Sequence, residues 1–199
     1  NKDDIYHNFR KYDSVMREWI SELKEGQSAF ENKNPKKRPH KIINGKIIFN
    51  TNKNADKYTR CYWDSVGPCV HTRNDILASQ ATIHPKDDRV FSIRELMRMM
   101  SIPDSFRWTD IPEEKLNKLY DEQKKEFLKK NEINIRQSIG EAVPTLVFDE
   151  IAKNIKRLIS FHNLSDSHIN SLIKKNNLNV PENLIKFIKE NRKELNFVQ

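Results

Sequence analysis

Residues 92–103 constrain the fold of this chain more than any other stretch. Ser92-Ile93-Arg94-Glu95 has the form of a capping box. In such a box the serine hydroxyl caps the first helical turn while the glutamate reaches back to the serine N–H. The helix that follows is rich in methionine and runs to about Met100. It stops before Pro103, because proline disfavours helical geometry in the residue ahead of it. Both ends of one short helix are therefore set by local chemistry.

The surrounding pattern is mixed. Ile5, Phe9, Tyr12, Val15, Met16, Trp19, Ile20 and Leu23 recur at helical spacing, and Gly26 is placed to end that helix. The stripe predicts a packing face with no chemistry in it. Ile42-Ile43-Asn44-Gly45-Lys46-Ile47-Ile48-Phe49 predicts a β-hairpin, since Asn-Gly supplies the positive φ angles of a type I′ turn. Tyr58 to Ala81 reads as short strands and loops, and Pro112 to Lys130 as an exposed, charge-laced helix. Pro144 suits a first helical position, and Val147, Phe148, Ile151, Ala152, Ile155, Leu158 and Ile159 give an amphipathic stripe. Two shorter helices are expected near residues 166–175 and 181–191. The expected class is α+β: a small mixed domain with a hairpin and short strands, followed by a largely helical C-terminal segment.

The formal net charge of +8 is unevenly distributed. Nine basic residues lie between Lys33 and Arg60 against one acid, Asp56, which leaves 27 basic and 27 acidic residues elsewhere. The whole excess thus sits in one segment that contains the hairpin. Such a block favours a polyanion, because each neutralised phosphate releases condensed counterions; a solvated basic loop is the plainer alternative. Cys61 and Cys69 are eight apart, with no CxxC and no paired histidine spacing. They predict two reduced thiols and no zinc site. No apolar run approaches a membrane span and no signal peptide is visible, which points to a cytoplasmic protein. Pro103-Asp104 followed by Glu113-Glu114-Lys115 fits a nuclease spacing in which acids gather around magnesium. Against this, Pro112-Glu113-Glu114 reads as the first turn of a helix, where acids favour the dipole, and no metal ligand is assigned.

Two blocks then stand out in order. His84-Pro85-Lys86-Asp87-Asp88-Arg89-Val90-Phe91-Ser92-Ile93-Arg94-Glu95, continuing to Ile102-Pro103-Asp104-Ser105-Phe106, resembles the ninth motif of the DNA cytosine-5 methyltransferases, and Ile139-Gly140-Glu141-Ala142-Val143-Pro144 resembles their tenth. Upstream, Arg60-Cys61-Tyr62-Trp63-Asp64 through Pro68-Cys69-Val70 is similar to the stretch that often precedes the ninth motif. The resemblance covers roughly the middle half of the chain. It departs from the family at Glu141, where asparagine is common, at Ser138, where glutamine is common, and at Ser101, where glycine is usual.

The resemblance implies the C-terminal portion of such an enzyme. Residues 1–110 would be the target-recognition domain with the ninth-motif helix, and 111–134 a charged helical connector. Residues 135–160 would complete the domain that binds S-adenosylmethionine, and 161–199 would form a helical tail. It implies cofactor contacts at Gly140, Glu141, Ala142 and Val143, with Gly140 permitting a tight backbone turn. Lys41, Lys46, Arg60, Thr72 and Arg73 are the DNA-contact candidates. Arg89 and Arg94 would mainly hold the recognition region, with phosphate contact as a further role; a surface arginine pairing with Glu95 or Asp88 is an equal alternative. Pro68-Cys69 has the look of the family's nucleophile, but Val70-His71 follows it and it lies where the family tends to have Pro-Thr. Cys69 therefore reads as a replaced threonine, and no catalytic residue is assigned. No F-x-G-x-G cofactor loop, Glu-Asn-Val triplet or Q-R-R-x-R stretch occurs. The implied partners are double-stranded DNA and an N-terminal half or subunit that carries the cofactor loop and the catalytic cysteine. A non-catalytic DNA-binding module of the same fold is the alternative.

Overall fold

A computed structural model describes residues 4–50, 56–162, 165–175 and Lys186. The chain divides into two compact units, at residues 1–145 and 146–199. Its elements are α1 (Ser14–Ile20), β1 (His40–Ile43), β2 (Lys46–Phe49), α2 (Ile93–Met99), α3 (Glu113–Asn117), α4 (Asp121–Glu141), α5 (Thr145–His162) and α6 (Asp166–Lys175). This is the mixed α+β class with a helical C-terminal part.

The first unit is built on two apolar clusters. One gathers Ile93, Leu96, Met97 and Met100 of the α2 region with Leu128, Ile135 and Ile139 of α4, and adds Ile5, Tyr6 and Leu116. Leu96 and Met97 are almost fully buried, each contributing about 1.5–3 kcal/mol of transfer free energy. The other gathers Trp19, Ile20, Leu23, Ala29, Leu77, Ile83 and Val90. It is closed by isolated backbone bridges, Ser28 to Thr59, Lys57 to Gln80, and Ile83 to both Arg60 and Val90. Those bridges stand where short strands were expected.

Two expected helices take a different form. The stripe from Ile5 to Leu23 is helical only from Ser14, because the Asp13 carboxylate accepts from Met16 N at 2.7 Å and caps the helix there. Ahead of the cap the backbone serves tertiary bonds instead: Ile5 N donates to Asn117 Oδ1 and Arg94 N to Tyr6 O. The stripe is thereby split, Ile5 and Tyr6 entering one cluster and Trp19, Ile20 and Leu23 the other. The segment 112–130 is likewise two helices, with α4 starting afresh where Tyr120 N donates to Gln123 Oε1 at 3.2 Å. Helix α4 then runs without interruption through the expected boundary at residue 134.

The hairpin and the capped helix match their local signals. Asn44 and Gly45 have φ of 50° and 74°, and β1 pairs with β2 from His40–Phe49 to Ile43–Lys46. Ser92 Oγ accepts from Glu95 N and Glu95 Oε2 accepts from Ser92 N, so the capping box closes in both directions. In the second unit, α5 exposes Val147, Phe148, Ile151 and Ile155. The side chains of Leu158 and Ile159, and, Lys186 apart, the helix expected near 181–191, lie outside the described residues.

Candidate nucleic-acid interface

Side chains alternate along a strand, so the pairing puts Lys41, Ile43, Lys46 and Ile48 on one face of the hairpin. The opposite face carries His40, Ile42, Ile47 and Phe49. Both faces meet solvent: Ile42 is 63% exposed and Ile48 50%. At its base the hairpin is tied down by Asn50 N donating to Pro39 O, and by the His40 ring lying 5.5 Å from that of Trp19. The result is a two-stranded ribbon, apolar and basic at once, standing on the second cluster.

The arginines expected near DNA are mostly occupied within the protein. Arg60 is 3% exposed. Its guanidinium donates to the carbonyls of His84, Asp87 and Ile20 and to the Asp88 carboxylate. That burial removes it from the DNA-contact set and makes it the bolt between residues 20, 60 and 84–88. Arg89 forms a two-pronged pair with Glu95 at 2.7 and 2.9 Å and lies 4.1 Å above the Phe9 ring. Burial raises the Glu95 pKa, but Arg89 and the Ser92 N–H more than offset it and bring it to about 2. Arg94 is 5% exposed and is shared by Asp4, Asp104 and Glu113. Both guanidiniums are thus engaged by carboxylates within the protein.

Arg94 also answers the nuclease pattern. Asp104 and Glu113 are brought together, but the guanidinium stands between them where a cation would. Among the described residues no group of three or more His, Cys, Asp or Glu is placed to hold a metal ion.

Thr72 and Arg73 are exposed, on a short segment held from three sides. Asn74 Nδ2 donates to His71 O and to Arg136 O, at 2.7 and 2.8 Å. Arg136, 1% exposed, returns bonds to Asn74 Oδ1 and Phe91 O. Asp75 holds Arg73 and Arg10. Asn74, Asp75 and Arg136 carry no signal in the sequence, because the contacts of Asn74 with Arg136, of Asp75 with Arg10 and of Arg136 with Phe91 join remote segments; a buried charge is visible only once the fold is known.

Gly140 is helical, with no positive φ, so a tight turn is not its role. The space of its missing Cβ is filled by the backbone of His71 and Thr72. Glu141, Ala142 and Val143 are exposed, and Glu141 accepts from Gln137 Nε2. These residues offer an open edge, which does not by itself enclose a small molecule such as a methyl donor. Pro144 precedes the first residue of α5, and Thr145 Oγ1 donates to Ser101 O at 2.7 Å, tying this edge to the end of α2. Cys69 is exposed, whereas Cys61 is buried with its thiol pushed up to about 11 by desolvation. Among the described residues no helix is long and apolar enough to cross a membrane.

The family model described as C-5 cytosine-specific DNA methylase matches residues 2–157. The chain is 31% identical over 161 residues to a type II methyltransferase of Avibacterium volantium, a match covering 75% of this chain and 38% of that protein. It is 30% identical over 102 residues to a type II methylase of Herpetosiphon aurantiacus, covering 51% of the chain and 24% of the relative. A DNA (cytosine-5)-methyltransferase of Arabidopsis thaliana is 36% identical over 63 residues, 32% of this chain and 7% of that one. The chain therefore spans well under half the length of these relatives. No solved structure matches.

Proposed function

Because the chain belongs to the C-5 cytosine-specific DNA methylase family, we propose that it is the DNA-recognition part of a cytosine-5 methyltransferase of restriction–modification type. It acts with an N-terminal half or subunit that holds the catalytic cysteine and most of the cofactor site. S-adenosylmethionine, the methyl donor of this family, supplies the methyl group placed on C5 of cytosine. This chain contributes position. Residues 1–110 carry the recognition surface, and residues 135–160 contribute the edge at 141–143 and the exposed apolar side of α5 to the partner half.

The observation that carries this reading is the hairpin. A two-stranded ribbon has the width to enter a major groove, and Lys41 and Lys46 share one of its faces with Ile43 and Ile48. The lysines suit phosphates, and the isoleucines suit apolar base edges. Lys46→Glu tests it: duplex binding should weaken and its dependence on salt should flatten, the log–log slope falling by about one for each phosphate no longer neutralised. An unchanged slope removes the hairpin from the interface. Native mass spectrometry of the protein from its own cell tests the partner: a stoichiometric subunit or a longer covalent chain supports the enzyme reading. A lone 23.6 kDa species would favour the non-catalytic DNA-binding module.

A further inference from the structure

Asp75 has a side chain only 3% exposed, yet two arginines from separate segments converge on it. Arg10 Nη1 lies 2.5 Å from Oδ2, while Arg73 Nε donates to Oδ1 at 2.9 Å and Nη2 to Oδ2 at 3.3 Å. A buried carboxylate needs one guanidinium to balance it. The second leaves a local excess of one positive charge, and both side chains reach solvent, at 38% for Arg10 and 65% for Arg73. Burial raises the Asp75 pKa, but the two arginines more than offset it, so the carboxylate stays ionised.

The mounting is rigid. Tyr12 Oη donates to Asp75 O, Asn74 is fixed to His71 and Arg136, and the 71–72 backbone rests on Gly140. Arg73 engages Asp75 through its Nε–Nη2 edge, and its Nη1 is not used by that carboxylate. A guanidinium fork held on one side by a buried acid is pre-organised to grip an anionic oxygen with the other. We propose that Arg10 and Arg73, positioned by Asp75, form a clamp for a phosphodiester of the DNA backbone. This deepens the proposed function and rests on it. Such a contact sets register on the duplex and carries no base preference.

The test is binding of two unrelated duplexes by the full chain, followed by fluorescence anisotropy across a salt series. Arg10→Gln and Arg73→Gln should each weaken both duplexes equally and make the log–log salt slope shallower by about 0.9. Lys118→Gln removes the same charge from an exposed position outside the clamp and should leave the slope unchanged. Asp75→Asn separates positioning from charge counting. It raises the net charge, so simple charge attraction predicts tighter binding, whereas a clamp that has lost its mount binds more weakly with a shallower slope. Circular dichroism checks that each variant folds, and Arg73→Gln, the more exposed site, carries the test if Arg10→Gln does not. Unchanged slopes in both arginine variants, or an equal effect from Lys118→Gln, overturn the clamp while leaving the hairpin reading intact. No salt-dependent binding by the wild type overturns both.

Discussion

Gly140 rests directly on the backbone of His71. A Cβ built at residue 140 would lie 2.5 Å from the His71 carbonyl carbon and oxygen and from Thr72 N. Helix α4 is thereby pressed against the segment that presents Thr72 and Arg73, and Gly140 becomes a packing residue for the proposed interface.

Gly140→Ala follows from that close approach. In an open helix the change would stabilise by up to about 1 kcal/mol, since alanine is the better helix former. Here the added methyl meets backbone, which has little room to give, and overpacking of this kind costs about 1–3 kcal/mol. The expected result is a lower urea midpoint. A midpoint equal to or above that of the wild type would show that the approach is looser than 2.5 Å implies.

Arg94→Ala should be among the most destabilising single changes, by about 3–5 kcal/mol, because it empties a buried site and strands the partly buried Asp4 and Glu113 beside it. Arg94→Lys should recover little of that stability, since one ammonium does not reproduce a fork that meets three carboxylates. Thermal melts of the two variants decide the point. A lysine variant as stable as the wild type would mean that charge alone, without the fork, holds this junction.

What was legible in the sequence was local. Asn44-Gly45 needs only its own φ angles to set the hairpin, and Ser92 and Glu95 cap each other within one turn. What was not legible depends on remote partners. Arg60 belongs to the basic segment by sequence, yet Ile20, His84 and Asp88 enclose it. The apolar stripe from Ile5 has helical spacing throughout, but the Asp13 cap starts the helix late and hands the first residues to tertiary bonds. The clamp on Asp75 joins residues 10, 73 and 75, and no periodicity connects residue 10 to the other two.

Glu95 sets an acid limit on stability. Its folded pKa is about 2 against an ordinary 4.5, so its pairing with Arg89 stabilises the fold above the unfolded value. That contribution, on the order of 3 kcal/mol, is lost as pH falls from about 4.5 towards about 2. Urea titrations at successive pH values should show the midpoint dropping across this window. Glu95→Gln should lower stability at neutral pH and flatten the dependence; a variant that keeps the full acid slope would place its origin in other carboxylates.

Ser101 occupies a strained backbone position. It ends the α2 region with φ of +51°, in the left-handed region, where the family usually has glycine. A serine there costs about 1 kcal/mol relative to glycine. Its hydroxyl returns part of this, donating to Met100 O at 2.7 Å and lying 3.3 Å from Thr145 Oγ1. The stronger tether, Thr145 Oγ1 to Ser101 O, is to the backbone and survives substitution. Ser101→Gly should therefore be neutral to stabilising by about 0.5 kcal/mol, the strain relieved slightly exceeding the worth of the part-buried hydrogen bond to Met100 O that it removes. Ser101→Val, which adds a branched side chain in the same conformation, should destabilise by more than about 1 kcal/mol, on the order expected for strain of this kind. Thr145→Val should also destabilise, because it removes the bond from Thr145 to the Ser101 carbonyl. Calorimetric melts of the three variants measure all of this at once. A Ser101→Gly protein clearly less stable than the wild type would show that the hydroxyl, and not the backbone, holds the contact between Ser101 and Thr145.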